Sequence, residues 1–416
     1  MNPTPAPPLP GFEWECFACA STGPLTEDFH CPRCGDPRSL RATAGVPAAL
    51  FHDRPESLWH YAPLLPVRNP FRAVTLGEGA TPLVPARRLA RDCGLGELHL
   101  KNETLNPTGS FKDRQVSVGI TCALERGCDT VAVVSSGNVG VAAAAYAARA
   151  GIRAVLFMHG QAGAGKIAQA CAHGARVLRV DTPAPSEAFR LCLDACAAWG
   201  WAHLSTAGMY EPWNVEGAKT VAYELFRQYG GDLPEWVVAP VGGGGLLGGV
   251  WRGFRDLQRL GLVDRIPRMA GVQAAGCAPL KQALDGGFSF QESLRHPWPD
   301  PKTMAGGIAD DILFDGHAVL PALRTTDGAA VTVEEEEIKT AALALARDEG
   351  ILCEPTAAVA VAALKKLPGA GPDTRVCCLV TGNGLKDLAF FQGRTSGPVP
   401  VKATLEAVQA ALGDQA

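Results

Sequence analysis

The sequence predicts an α/β protein of two domains with parallel twisted sheets, plus a small metal-binding module at the N-terminus. A repeated strand–helix alternation, glycine-rich turns and two cysteine pairs support this prediction. Strands that alternate with helices of this length indicate parallel sheets with right-handed crossovers and helices on both faces. The 416 residues are enough for two or three domains with substantial cores.

Composition narrows the classes of partner. The net charge of −4 gives no reason to expect nucleic acid or an acidic membrane as a partner. No uninterrupted apolar run of about 18 residues is present, so no membrane span is predicted. The proline-rich start lacks the pattern of a signal peptide and predicts a disordered tail.

Most of the 14 cysteines stand singly in apolar segments, as Cys122, Cys171, Cys192 and Cys377 do. Such cysteines are typical of small core residues in a reduced protein, and they predict a cytoplasmic location.

The N-terminal cysteines form two Cys-x-x-Cys knuckles, Cys16/Cys19 and Cys31/Cys34, on either side of residues 20–30. Two such knuckles complete a tetrahedral zinc site, and a piece this short needs a metal to hold it together. We therefore predict a structural four-cysteine zinc ribbon. Two disulfides, or a redox role for one knuckle, are the alternatives.

An irregular connection over residues 41–80 leads to a strand around Leu98–Lys101 and then to the turn Asn106–Arg114, which contains Lys112. A helix is predicted to begin near Gln115. A lysine at a strand-to-helix turn points its amine into the space above the sheet, where cofactors of α/β folds lie. Lysine forms Schiff bases with carbonyl cofactors when its surroundings deprotonate it. A solvated surface lysine is the alternative.

After this turn the strand–helix pattern repeats to the end of the last predicted strand. Strands are predicted at residues 131–134, 154–158, 176–180, 236–239, 269–272, 330–333 and 376–380. Helices are predicted at residues 141–149, 166–173, 186–199, 249–260, 334–349, 355–366 and, in a C-terminal tail, 405–412.

Three of the loops in this pattern carry residues suited to ligand binding. Ser135, Ser136, Gly137 and Asn138 stand at a helix N-terminus, where hydroxyl and N–H groups bind a substrate carboxylate or cap the helix.

The second loop holds the tetraglycine Gly242–Gly245, whose backbone N–H groups can converge on one phosphate. A flexible crossover is the alternative. The third begins at Thr381, which ends the last strand. Its hydroxyl can bond a ring nitrogen without protonating it, or can belong to a simple turn.

Four motifs in this order carry a resemblance to a known family: the lysine turn, Ser-Ser-Gly-Asn138, Gly-Gly-Gly-Gly-Leu246 and Thr381-Gly-Asn-Gly-Leu-Lys-Asp. Over residues 70–395 the chain resembles the pyridoxal-phosphate (PLP) enzymes of fold type II, the tryptophan-synthase-β-like group. Within that group Gly77–Leu83, Glu216–Thr220 and the N-terminal knuckles are most similar to the threonine synthase family.

The resemblance implies a domain plan. Residues 1–40 would form the tail and ribbon, and residues 113–208 a small α/β domain. Residues 41–112 together with 209–395 would form a large cofactor-binding domain, with 396–416 as a C-terminal tail. It also implies a homodimer that acts on a small amino-acid substrate.

The resemblance assigns a role to individual residues as well. Lys112 would hold the cofactor as a Schiff base and then move protons, with Phe111 close under the ring. Asn138 would meet the phenolic oxygen and Thr381 the ring nitrogen. Gly242, Gly243, Gly244 and Gly245, with Leu246, would bind the phosphate.

The implied reaction converts O-phosphohomoserine and water to threonine and phosphate, by γ-elimination and β-hydration. Two departures from the family pattern, Asn214 in place of an arginine and Val139 in place of a threonine, weaken the case for a phosphorylated substrate. Lys219, Arg114 and Lys166 remain as alternative phosphate ligands. A threonine- or serine-dehydratase-like ammonia-lyase, a β-replacement enzyme and a catalytically silent binding protein are the competing hypotheses.

Overall fold

The computed structural model describes residues 9–43, 45–135, 137–158, 163–182 and 185–412. Residues 1–8, where the sequence predicts a disordered tail, lie outside this part. In chain order the strands are β1 (Phe12–Glu15), β2 (Thr22–Pro24), β3 (Ser39–Ala42), β4 (Leu83–Pro85), β5 (Glu97–Asn102), β6 (Thr130–Val134), β7 (Arg153–Met158), β8 (Arg176–Arg179), β9 (Ala202–His203), β10 (Trp236–Pro240), β11 (Arg268–Ala274), β12 (Ala329–Val333) and β13 (Arg375–Val380).

The helices surround and connect these strands. They are α1 (Arg87–Cys93), α2 (Lys112–Glu125), α3 (Asn138–Ala150), α4 (Ala164–Ala172), α5 (Pro185–Trp199), α6 (Thr220–Gln228), α7 (Gly245–Arg259), α8 (Pro279–Asp285), α9 (Phe290–Arg295), α10 (Gly316–Thr325), α11 (Glu335–Glu349), α12 (Pro355–Ala362), α13 (Leu388–Phe391) and α14 (Leu405–Leu412).

The strands form three sheets, and the two larger ones confirm the predicted α/β fold. The largest has the order β12-β11-β10-β13-β5-β4 and is parallel except for the antiparallel edge strand β4. A second, wholly parallel sheet has the order β8-β7-β6-β9. The three-stranded antiparallel sheet β2-β1-β3 belongs to the N-terminal ribbon.

Both larger sheets are buried on two faces, as parallel sheets are. In β10, Trp236 and Val238 pack into one apolar core, while Val237 and Ala239 pack into another on the opposite face. This alternation explains why the strand reads as a continuous apolar run in the sequence. No helix in the described part of the chain is long and apolar enough to cross a membrane.

The large sheet brings three of the sequence motifs to one edge. Strands β10, β13 and β5 are neighbours and run parallel. The tetraglycine follows the carboxyl end of β10, Thr381 follows β13, and the lysine turn follows β5 after a short 3-10 turn. Loops at the carboxyl ends of adjacent parallel strands form the usual ligand crevice of an open α/β sheet.

A buried ion network fixes α2 to the large sheet. The guanidinium of Arg114 contacts Glu103 at 2.7 Å and Glu224 at 2.6 Å, and Lys101 contacts the other oxygen of Glu224 at 2.6 Å. All four side chains are fully buried. Burial alone raises the pKa of Glu224, but Arg114 and Lys101 together hold it at about 2.

Close backbone packing joins α2 to α7 through the 3-10 turn Asn214–Lys219. A side chain at Gly217 would collide with the backbone oxygen of Arg114, and one at Gly253 with that of Lys219. These glycines let the turn lie directly between the two helices.

The ribbon is docked against the large sheet's helices through both packing and charge. Trp14 is completely buried and its ring lies 5.5 Å from that of Trp213. The carboxylate of Glu15 contacts Arg255 at 2.8 Å and Arg259 at 2.5 Å, both on α7. The ribbon is therefore an integral part of the fold.

Several helices follow the predicted bounds within a few residues, but others were not predicted. The sequence analysis assigned no helix to α1, α6, α8, α9 or α10, because their short apolar stretches lack a long helical period. Among the single cysteines, Cys122, Cys192 and Cys377 are buried as predicted. The prediction for Cys171 was wrong: it is exposed, because on α4 the neighbouring Ala170 faces the core.

The ion network gives a stability prediction. Glu224→Gln removes one carboxylate charge and leaves Arg114 and Lys101 incompletely paired in the interior. We expect the free energy of unfolding to fall by about 3 kcal/mol, measured by urea denaturation. The matched control is Glu336→Gln, which breaks the exposed pair with Lys339 on α11 and should cost about 0.5 kcal/mol or less. Equal losses in the two variants would show that the buried network has no special weight.

Candidate active site

Lys112 is the first residue of α2, so the helix begins at the lysine and three residues earlier than predicted. The turn before it is tied to the end of β13 by backbone hydrogen bonds. Phe111 N–H donates to the Thr381 carbonyl at 3.0 Å, and Asn383 N–H donates to the Gly109 carbonyl at 2.9 Å. Two of the sequence motifs are thus in direct contact.

The amine of Lys112 lies in a partly buried position with polar neighbours. Its Nζ donates to Thr206 Oγ1 at 2.8 Å and to Gln115 Oε1 at 3.4 Å, and lies 4.5 Å from the Phe111 ring centroid. Burial lowers the pKa of Lys112 to about 8, against the opposing effect of Asp310 and Asp315. A fraction of the amine is therefore neutral near physiological pH, as nucleophilic attack on a carbonyl requires.

The tetraglycine loop lies beside this amine. A side chain at Gly245 would come within 2.6 Å of the carbonyl oxygen of Thr206, the residue that accepts the Lys112 hydrogen bond. Gly244 has φ +102°, a left-handed conformation that favours glycine, and it immediately precedes α7. The loop therefore presents bare backbone at the N-terminus of a helix, an arrangement that suits an anion.

Two carboxylates that the sequence analysis missed face this loop. Asp310 Oδ2 lies 2.5 Å from the position of a side chain at Gly242, and Asp315 Oδ2 lies 3.0 Å from that at Gly245. Burial raises the pKa of Asp310 to about 6 and that of Asp315 to about 7. Neither carboxylate stands in a motif or a regular period, so no sequence signal distinguished them.

Several buried polar side-chain atoms at the site, including Gln115 Nε2 and Asp315 Oδ2, lack a partner among the described residues. Thr381 Oγ1 and Asn138 Oδ1 are buried, and no group in the described part of the chain forms a hydrogen bond with either. Buried polar atoms in native proteins are normally paired, so these two atoms indicate a polar ligand. They are the atoms that the resemblance assigns to the ring nitrogen and the phenolic oxygen. With the amine and the glycine loop they fit a pyridoxal-phosphate group.

Glu354, at the start of α12, was also missed. Its Oε1 accepts a hydrogen bond from Asn138 Nδ2, and its Oε2 contacts Lys166 Nζ at 2.7 Å. Glu354 therefore holds the Asn138 amide in place, and it links α3 on the small sheet to α12 on the large one. The one sequence signal that could have identified Glu354 is its position directly before Pro355, where a helix begins.

The predicted substrate loop caps a helix. Ser135 Oγ accepts hydrogen bonds from the N–H groups of Gly137 and Gly140, both at 3.1 Å, at the start of α3. Ser136 lies outside the described residues. The hydroxyl of Ser135 is thus occupied in capping, and substrate binding by Ser135, Ser136 and Gly137 stays a prediction. The Leu246 side chain packs in the core, which leaves only its backbone for an anion.

The three alternative phosphate ligands differ in whether they lie at the site. Lys219 is fully buried and contacts Glu216 at 2.6 Å and Asp256 at 3.1 Å, and Arg114 is committed to the ion network. Both are structural charges. Lys166 remains at the site, where its amine contacts Glu354 at 2.7 Å and its charge adds to the effect of burial in lowering the pKa of Lys386. Asn214 is buried against Gly119 and donates to the Ser205 carbonyl at 2.9 Å.

The four cysteines of the ribbon converge on one point. Their sulfur atoms all lie within 4.8 Å of one another, with Cys16 and Cys34 3.4 Å apart and Cys19 and Cys31 3.5 Å apart. Four thiolates around one tetrahedral metal ion require this kind of spacing.

Comparison with known proteins places the chain in a family. Residues 74–382 match the profile described as pyridoxal-phosphate dependent enzyme. The threonine synthase of Methanosarcina acetivorans is 38% identical over 360 residues, which cover 86% of each chain. The threonine synthase of Methanocaldococcus jannaschii is 33% identical over 407 residues, which cover 95% of this chain and 98% of the relative.

Solved structures show the same architecture. The crystal structure of a threonine deaminase from T.th. superposes with a TM-score of 0.62 at 28% identity, and the match covers 76% of this chain and 94% of the deaminase. With the lysine, the glycine loop and Thr381 assembled at one sheet edge and Asn138 linked to them through Glu354, this chain belongs to the fold type II pyridoxal-phosphate-dependent enzymes and, within them, to the threonine synthase family.

Proposed function

We propose that this protein converts O-phosphohomoserine and water to threonine and phosphate. The similarity to curated threonine synthases over nearly the whole length of both chains carries the proposal, because it includes the N-terminal segment as well as the site. The lysine, the glycine loop and the partnerless hydroxyl of Thr381 support it from the geometry.

The residues at the sheet edge have distinct roles in holding the cofactor. The backbone of Gly242, Gly243, Gly244 and Gly245, with that of Leu246, would hold its phosphate. Thr381 Oγ1 would bond the ring nitrogen, Asn138 the phenolic oxygen, and Lys112 the aldehyde carbon. When bound, pyridoxal phosphate supplies the electron withdrawal that makes protons next to the amino-bearing carbon removable.

Lys112 is the group placed to move those protons. A neutral amine takes the proton from the α carbon, and the same Nζ returns a proton later in the cycle. Over the whole reaction the Cγ–O bond breaks and phosphate leaves, the β carbon loses one proton and gains the hydroxyl of water, and the γ carbon gains one proton to become a methyl group. The hydrogen bond to Thr206 and the contact with Gln115 orient the amine for these transfers.

The phosphate of the substrate needs a cation, and Lys166 is best placed to supply it. Its amine stands beside Asn138 and Glu354, with Lys386 nearby. Burial lowers the pKa of Lys386 to about 8, with Glu354 and Asp113 opposing this effect and Lys166 adding to it. Glu354, which contacts Lys166 at 2.7 Å, offsets part of the positive charge of the two lysines.

One observation favours a second candidate, an ammonia-lyase or β-replacement enzyme for unphosphorylated amino acids. The charged groups that act on the Lys112 amine are the carboxylates of Asp310 and Asp315, which repel a phosphorylated substrate. Asn214 stands where the family pattern has an arginine, and the loss of that positive charge also favours an unphosphorylated substrate.

We infer that the ribbon holds zinc through Cys16, Cys19, Cys31 and Cys34. Their convergence supports this inference, and the docking through Trp14 and Glu15 indicates that the metal has a structural role. We further propose a cytoplasmic homodimer. The single reduced cysteines support the location, and the family resemblance supports the dimer.

A substrate panel tests the proposed reaction. With phosphohomoserine we expect threonine and inorganic phosphate in equal amounts, measured by chromatography and a phosphate assay. Ammonia and 2-oxobutyrate from threonine, without turnover of phosphohomoserine, would instead establish the second candidate.

Lys112→Ala should abolish turnover because it removes the amine that binds the aldehyde and moves protons. Borohydride reduction of the cofactor-loaded protein followed by mass spectrometry should find a pyridoxyl group on Lys112 in the parent protein only. Because the pKa of Lys112 is about 8, the rate of covalent attachment should rise as the pH increases through about 8. Lys166→Ala is the control and should keep the pyridoxyl group on Lys112.

Cys16→Ser should release zinc, measured by elemental analysis, and lower the melting temperature by several degrees, because the docked ribbon loses its centre. Part of the activity should remain. Cys171→Ser, which changes an exposed cysteine on α4, should keep both the metal and the melting temperature. Full metal content in Cys16→Ser would refute the four-cysteine site.

A further inference from the structure

The carboxylate of Asp310 lies against the glycine loop. Its Oδ2 is 2.5 Å from the side-chain position of Gly242, and the nearby Gly243 N–H partly offsets the rise in the pKa of Asp310 that burial causes. The segment before α10 is anchored to the loop independently, since Asp315 N–H donates to the Gly243 carbonyl at 2.7 Å. This anchor holds Asp310 against the loop.

The groups around Asp310 come from several elements. Lys112 faces it from α2, Asp315 stands at the start of α10, and Asp311 follows it in the chain. The thiol of Cys277 donates to the Asp310 carbonyl at 3.2 Å and not to its carboxylate. The Gly243 N–H and the Lys112 charge are therefore the groups that favour the charged form of this carboxylate.

A cofactor phosphate held by the backbone of this loop would lie close to the Asp310 carboxylate. At close range in a partly buried site the two anions repel each other strongly. The form of the protein able to take the phosphate is the one in which Asp310 has withdrawn or is neutral, and apparent affinity falls with the fraction in that form.

We propose that the Asp310 carboxylate is a resident anion beside the phosphate cradle, which lies against Gly242 and opposes the binding of the cofactor phosphate by charge repulsion. Asp310 is thus a positioning residue that limits how tightly and how fast the enzyme is loaded. The proposal stands on the cofactor family and on the loop geometry, and not on the choice of amino-acid substrate.

The test uses full-length protein from which the cofactor has been released with hydroxylamine. The probe is pyridoxine 5′-phosphate, which carries the phosphate but has no aldehyde, so that Lys112 contributes no covalent bond. Its affinity is measured by quenching of tryptophan fluorescence for the parent protein, Asp310→Asn and Asp310→Ala. Asp311→Asn is the matched control, because it removes the same charge from the neighbouring, exposed residue.

We expect Asp310→Asn to bind the probe about tenfold more tightly than the parent protein at about pH 8. Asp311→Asn should stay within about twofold of the parent, because its charge is solvated. Pyridoxine without the phosphate should bind all variants equally. The Asp310 carboxyl has a pKa of about 6. Below about pH 5 the parent side chain is therefore neutral, and the advantage of Asp310→Asn should disappear.

The proposal fails if Asp310→Asn and Asp310→Ala, both shown to be folded by their melting temperatures, bind the probe no more tightly than the parent. It also fails if Asp311→Asn tightens probe binding as much as Asp310→Asn does. The effect would then come from the net charge of the region and not from the position of Asp310. Unchanged cofactor affinity with weaker substrate binding would place Asp310 on the substrate side of the site. None of the probe-binding measurements depends on turnover, so they stand even if phosphohomoserine is not the substrate.

Discussion

The buried guanidinium of Arg114 is the interaction on which the site depends. It lies two residues beyond Lys112 on α2 and bonds to carboxylates from the end of β5 and from α6. A buried charge of this kind is costly unless it is fully paired, so the helix has one favourable orientation relative to the sheet. That orientation directs the Lys112 amine towards Thr206 and the glycine loop. The position of the reactive amine therefore depends on the buried ion network of Arg114, Glu103 and Glu224, whose members do not belong to the ligand-binding residues.

The sequence predicted the parts of the fold that have strong local signals. Buried strands such as β10 and β13 are continuous apolar runs, and the motifs that follow them contain Gly, Thr and Asn in a fixed order. The strand order β10-β13-β5 was not predictable, because it depends on pairings between segments more than a hundred residues apart. Helices α8 to α10 were missed because each is short and lies in a segment with mixed polarity.

The residues of the candidate site likewise divide into those with a local sequence signal and those without one. Lys112, Asn138, the tetraglycine and Thr381 stand in recognisable motifs. The structure brings three of them to one edge of the large sheet, and Asn138 joins them from the small sheet through its hydrogen bond to Glu354. Asp310, Asp315, Gln115 and Glu354 carry no such pattern. Their importance arises from tertiary contacts: Glu354 bonds Asn138 from a different sheet, and Asp310 contacts the glycine loop from the segment before α10. Sequence reasoning finds the residues that a ligand would touch more readily than the residues that hold or compete with them.

The direct backbone contact between α2, the 3-10 turn Asn214–Lys219 and α7 has a mechanical consequence. Because glycine at 217 and 253 leaves no side chain between these segments, α2 and α7 cannot slide past each other without a steric clash. The amine at the start of one helix and the loop at the start of the other form a single rigid unit. A movement that separates α3 and α4 from α12 at this site would break the ion pair between Lys166 and Glu354 and the hydrogen bond from Asn138 to Glu354.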